Sequence, residues 1–160
     1  MTAWGNFFVA LVGAAAALTG LIFVGVSISL SSILAVPHLS GRALESLVLL
    51  TNIVLISSLC LVPDQSFRAI GLEVLLISLF VWSIILLLDI RMLRAAAPEI
   101  RKHYRRNIIF SQLAMLPFFL AAAMILNSGS SGIYFLIPGI FISLIKALTD
   151  AWVLLVEIHR

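Results

Sequence analysis

Charge is scarce in this chain: only 11% of its 160 residues are Asp, Glu, Lys or Arg, against about 25% in an average soluble domain. A single cysteine, Cys60, lies inside an apolar run. That excludes an internal disulfide framework and argues against a CxxC metal or redox centre. Nucleotide-binding and hydrolase signatures are missing as well: there is no GxxxxGK[ST], GxSxG, HExxH or strand-turn-helix GxGxxG. An intramembrane aspartyl dyad would have to come from Asp89 and Asp150, which map to unmatched depths. The expectation is therefore a protein that is not an enzyme and needs no cofactor.

Apolar residues are abundant, at 62% of the chain, with a mean hydropathy of +1.21. A soluble core of this size has no room to hide that much apolar surface, so the expected solvent is lipid. A helix crosses the hydrocarbon layer with about 20 mainly apolar residues. Five runs qualify: Gly5–Leu34, Ala43–Val62, Ala69–Ile90, Asn107–Leu126 and Ile133–Ile158. Three of the links, AVPHLSGR, PDQSFR and NSGSSG, are short and rich in Pro, Gly or Ser. The runs are continuous rather than alternating at period two, which argues against a β-barrel. The first run has no basic segment ahead of it and is too long for the core of a signal peptide, so it reads as a retained span. The expected fold is an all-α polytopic bundle of five transmembrane helices in a single domain.

Although the pI is 9.6, the basic residues cluster in one loop, RMLRAAAPEIRKHYRR (residues 91–106). This clustering points to a cytoplasmic loop by the positive-inside rule rather than to nucleic acid. The N-terminus is then outside and the C-terminus in the cytoplasm of a bacterial inner membrane, with Arg42 and Arg160 inside and only Arg68 outside. Arg101, Lys102, Arg105 and Arg106 are candidates for contact with anionic headgroups; the alternative is that they only set topology. Pro98 and Glu99 suit the first turn of a helix leading into the fourth span.

The last run contains SLIKALTDAWVLL, in which Lys146 precedes Asp150 by one helical turn. A lone charge at the bilayer centre costs about 2.5–3.5 kcal/mol. The i, i+4 spacing puts the two on one face, where each offsets the other's burial. Counting residues from the run ends places Lys146 near the midplane, with Asn52, Thr51 and Thr19 at similar depth and Gln112 level with Asp150. Lys146, Asp150, Asn52, Thr19 and Gln112 are thus candidates for an ion or proton path; the alternative is a structural clasp that sets helix register. Glu45, Asp89 and Glu157 read as boundary ion pairs with Arg42, Arg91 and the basic loop, and Glu73 has Arg68 as its nearest partner. His38, His103 and His159 fall on the cytoplasmic side without metal-site spacing.

The first run carries small residues, Gly13, Ala17, Gly20, Ser27 and Ser31, at helical spacing. Such a stripe lets two helix backbones approach closely in lipid. It fits a homo-oligomer seam or pore lining, or packing within one subunit. Pro117 and Pro138 read as internal prolines of the last two spans, freeing the carbonyls of Leu113 and Tyr134.

The stretch NFFVALVGAAAALTGLIFVGVSI, followed by GRALESLVLL and LVPDQS, resembles a family of small bacterial multi-span proteins, some of which are labelled "modulator of FtsH protease". The resemblance covers the first two spans and the link after them. It implies an accessory role near a membrane protease and carries no catalytic or binding residues. From the residues themselves, the expected function is a homo-oligomeric channel or transporter; the alternative is a scaffold or regulator of another membrane protein.

Overall fold

A computed structural model describes residues 2–35, 37–95 and 101–158. The expected helix start at Pro98–Glu99, together with His159 and Arg160, lies outside the described residues. So do the side chains of His38, Lys102, His103 and Glu157.

Among the described residues six α-helices follow in order: α1 (Thr2–Ile28), α2 (Leu30–Ala35), α3 (Pro37–Leu59), α4 (Phe67–Ala95), α5 (Arg101–Ser128) and α6 (Leu136–Ile158), with a 3-10 turn, Gly129–Phe135, between the last two. There is no strand among the described residues. Four helical stretches are long and apolar enough to cross a membrane: Trp4–Ile28, Leu39–Leu59, Phe67–Arg94 and Tyr104–Val156. The fourth contains α5, the 3-10 turn and α6, and it doubles back so that α5 and α6 pack together.

Packing defines a ring of four helices. Helix α3 packs on α4 and α6, and α5 closes the ring against the same two; α1 lies outside it, against α3. The ring's core is aliphatic and tight, with Leu49, Ile53 and Ile56 of α3, Ile85 of α4, Phe118 and Ala121 of α5 and Ile140 of α6 fully enclosed. The outer surface is also apolar, with Leu21 69% and Ile28 80% exposed. Large aliphatic side chains facing out while acids and hydroxyls face in is the arrangement lipid favours.

Helix boundaries differ from those expected. Helix α3 starts at Pro37 instead of Ala43, because proline is preorganised for the first helical position and needs no partner for its missing N–H. Helices α4 and α5 likewise run into the basic segment, α4 to Ala95 and α5 from Arg101. The first run breaks at Ser29 into α1 and α2. Ser66 caps α4, its Oγ accepting the Ala69 N–H at 3.2 Å. At the other end of the hairpin, Gly129 has φ +62°, the left-handed conformation that ends α5. A Cβ on Gly132 would lie 2.2 Å from the Ile125 backbone nitrogen, so only glycine fits there.

The two prolines behave differently. Pro117 is internal to α5. Pro138 is instead in the first turn of α6, where no donor is missed, so the Tyr134 carbonyl is not orphaned as expected. The small-residue stripe is also placed otherwise than by packing within one subunit. Gly13, Ala17, Gly20 and Ser27 all lie on the exposed side of α1, and a Cβ at Gly13 or Gly20 would meet nothing within 4 Å. Helix α1 faces α3 through Phe8, Leu11 and Ala15. The closely packed glycines belong to the ring, such as Gly139, where a Cβ would lie 3.1 Å from the Phe118 ring.

A buried charged layer as the candidate functional site

Helix α3 brings Glu45 to the ring interior. With α3 starting at Pro37, Glu45 sits about 12 Å along it, past the boundary position that the later start implied. Lys146 of α6 reaches across to it, Nζ lying 3.0 Å from Glu45 Oε1. The same ammonium is paired with Asp150 Oδ2 one turn along α6. Helix α5 completes the cage: Asn107 Nδ2 donates to Glu45 Oε2 at 3.2 Å, and Ser111 Oγ donates to Oε1. Ser111 also lies 3.0 Å from the Asn107 carbonyl, and its single proton serves one acceptor at a time. Glu45, Ser111, Lys146 and Asp150 are all buried.

A second pair adjoins the first through the next residue of α5. Gln112 Nε2 donates to Asp89 Oδ2 of α4 at 3.3 Å, while Trp82 Nε1 donates to Gln112 Oε1 at 2.7 Å. Asp89 is buried, and its Oδ1 has no partner. All four ring helices therefore contribute to one polar layer, about 9–18 Å from the helix ends nearest the basic segment. It encloses three carboxylates, Glu45, Asp89 and Asp150, against one ammonium. Arg42 is buried one turn from Glu45 towards the basic end. Among the described residues, no group of His, Cys, Asp and Glu side chains has a metal-holding arrangement.

This layer corrects several expectations, the first being that Asp89 and Asp150 lie at unmatched depths: they stand about 9 and 12 Å from the same end of the bundle. Glu45 is not a boundary partner of Arg42; it is the acceptor at the centre of the cage. Asp89 pairs with Gln112 rather than Arg91, because α4 continues six residues beyond it to Ala95. Glu73 takes its hydrogen bond from Gln65, not Arg68. Of the five path candidates, Lys146, Asp150 and Gln112 belong to the layer. Thr19 does not: its hydroxyl donates back to Ala15 O at 2.7 Å on α1, outside the ring. Thr51 is exposed and bonds to its own helix at Leu47 O, 2.7 Å away.

Asn52 lies on the Glu45 face, seven residues or about two turns further from the basic end. It is fully buried, and neither Oδ1 nor Nδ2 has a partner. Helices α4 and α6 repeat the pattern. Ser78 stands eleven residues from Asp89, close to three turns, and Ser143 stands seven from Asp150. Both serines are fully buried with unpartnered hydroxyls. Asn52, Ser78 and Ser143 form a second polar level about 22–25 Å from the basic end.

On the basic side, a pocket of about 610 Å³ opens between α5 and α6 and reaches Lys146 and Asp150. Arg106 lines it; Arg101 and Arg105, exposed like Arg106 on the same helix end, do not. Sequence reasoning missed Glu45, Asn107 and Ser111. The signals that mark them are Pro37 as a helix start and the i, i+4 spacing of Asn107 and Ser111. No family model, curated protein or solved structure matches the chain.

Proposed function

We propose that this protein is a bacterial inner-membrane channel or transporter that passes protons or small cations through the interior of the α3–α6 ring. In this reading α1, α3, α4, α5 and α6 each cross the bilayer, giving five spans. The N-terminus lies outside and the basic end of the bundle lies in the cytoplasm. The observation that carries the proposal is the repeated pairing on three helices. Each presents a buried carboxylate and, two or three turns beyond it on the same face, a buried amide or hydroxyl with no protein partner. An unsatisfied buried polar group costs about 1–3 kcal/mol. Water or a permeant cation removes that cost, and three acids against Lys146 and the neighbouring Arg42 favour a positive occupant. Ionisable groups inside spans commonly mark such routes.

The test is flux. Purified protein in liposomes is expected to carry protons, sodium or potassium down an imposed gradient, read with an ion-sensitive dye. Glu45→Gln, which keeps the side chain's shape and an acceptor, is expected to lower that flux about ten-fold or more. Failure of the wild-type protein to pass any of these ions or a small solute under broad conditions overturns the reading.

The exposed small-residue face of α1 favours a companion proposal, that subunits associate through Gly13, Ala17 and Gly20. The same face supports a second reading, a scaffold or regulator of another membrane protein such as a membrane protease. Copurification of a stoichiometric membrane partner, with no flux, would select it.

A further inference from the structure

The pocket between α5 and α6 has a polarity gradient. Its mouth at the basic end holds Arg42 and Arg106, each about 7–8 Å from the start of its helix. Its wall then continues about 5–10 Å deeper along α5 with Phe110 and Leu113, and Ile145 of α6 faces it. These three apolar side chains are all at least half-exposed to the surroundings of the bundle or nearly so, at 50%, 47% and 64%. The crevice is thus open sideways, towards the acyl chains. At about 610 Å³ it falls within the size range of small-molecule sites, about 300–1,000 Å³.

Charge selects the occupant. Arg42, Arg106 and Lys146 line the pocket against Asp150 alone. Lys146 is shared between Glu45 and Asp150, so with Glu45 included three cations stand against two acids, a net positive charge on the side of the two arginines. A guanidinium has five N–H donors in a planar fork, so it binds a phosphate while keeping other neighbours. Asn107 adds an amide beside them. A cationic mouth within a turn of the ends of the candidate spans, continuous with an apolar wall that opens sideways, matches an anionic amphiphile in both chemistry and direction.

We infer that the crevice between α5 and α6 binds an acidic phospholipid from the adjoining leaflet, its phosphate held by Arg42 and Arg106 and an acyl chain lying along Phe110, Leu113 and Ile145. This site is distinct from diffuse attraction of the basic segment to a charged membrane, because it uses a buried arginine of α3 and a defined apolar wall. It does not depend on the transport reading, since occupancy is measured without flux.

The test uses the full chain in neutral detergent, with bound lipid counted by native mass spectrometry. Long-chain phosphatidylglycerol is expected to be retained, phosphatidylcholine to bind about ten-fold more weakly, and inorganic phosphate to compete poorly. Replacing Arg42 and Arg106 together with Gln is expected to weaken phosphatidylglycerol binding by about ten-fold or more. The same change at Arg101 and Arg105, outside the pocket, is expected to alter it by less than about two-fold. Arg42 is buried, so Ile145→Trp supplies an independent variant that fills the wall from the exposed side without touching a charge; it too is expected to displace the lipid. The inference is overturned if phosphatidylcholine binds equally or if inorganic phosphate competes as well as the lipid. It also fails if the Arg101/Arg105 variant loses as much binding as the Arg42/Arg106 variant, or if Ile145→Trp leaves binding unchanged.

Discussion

The ring interior has two polar levels, and apart from Asp89 Oδ1, which has no partner in the first, they are held in opposite ways. In the level nearer the basic end, Glu45, Lys146, Asp150, Asn107 and Ser111 satisfy one another across three helices. In the level beyond it, Asn52, Ser78 and Ser143 are just as deeply enclosed and have no protein partner at all. A saturated ion-pair cage has a structural use by itself, since it can fix helix register without anything passing through. The unsatisfied level has no such use. Apolar side chains would fill the same space at lower cost, and the proposed transport reading assigns this level an occupant from outside the protein.

Breaking the paired level is expected to have the largest effect. Lys146→Met leaves two facing carboxylates enclosed without the ammonium they share, and losing one partner of a buried pair costs about 3–5 kcal/mol. A marked fall in the thermal unfolding midpoint in detergent is expected. Adding Glu45→Gln and Asp150→Asn to that variant is expected to restore much of the loss, because the stranded charges go with the lysine. If Lys146→Met unfolds at the wild-type temperature, the cage is not holding the ring together.

The unpaired level should respond in the opposite sense. Asn52→Leu removes no protein hydrogen bond and adds apolar packing, so its stability is expected to stay within about 1 kcal/mol of wild type or to rise. Flux, by contrast, is expected to fall as the second level loses its amide. A large destabilisation would mean that Asn52 has a structural partner after all.

The smallest effect on subunit stability is expected on α1. A Cβ added at Gly13 or Gly20 meets no neighbouring atom within 4 Å, so for Gly13→Leu together with Gly20→Leu unfolding should shift by less than about 0.5 kcal/mol. The oligomeric state, measured by analytical ultracentrifugation in detergent, is expected to decrease if subunits meet at that face. An unchanged assembly would remove α1 as the seam.

How much of this was legible depended on where each helix begins. The apolar runs mark the long helices, and the Lys146–Asp150 spacing marks a paired, buried charge; both can be read from side-chain type alone. The role of Glu45 could not be read in that way. The link before it, AVPHLSGR, leaves Glu45 at the boundary of a span starting at Ala43, yet Pro37 starts the helix and carries Glu45 two turns into the bundle. The same shift at the end of α4 buried Asp89, and at the start of α5 it turned Asn107 and Ser111 inward. The stripe on α1 was legible as a close-packing surface but not as an outward one. Spacing says which residues share a face and nothing about which neighbour that face meets. Asn52 was found at roughly the right depth, but the serines level with it carry no distinguishing signal, since buried serine is common in apolar helices.

Water access to the second level is the most direct test of the central claim. In a Cys60→Ser background, cysteines at Asn52, Ser143 and, as a lipid-facing control at similar depth, Leu79 can be treated with a small cationic methanethiosulfonate. Such reagents attack the thiolate, which forms only where water reaches. The account predicts that positions 52 and 143 react and that position 79 does not. Labelling at 52 and 143 no faster than at 79 would contradict it, leaving a dry ring with a structural ion pair.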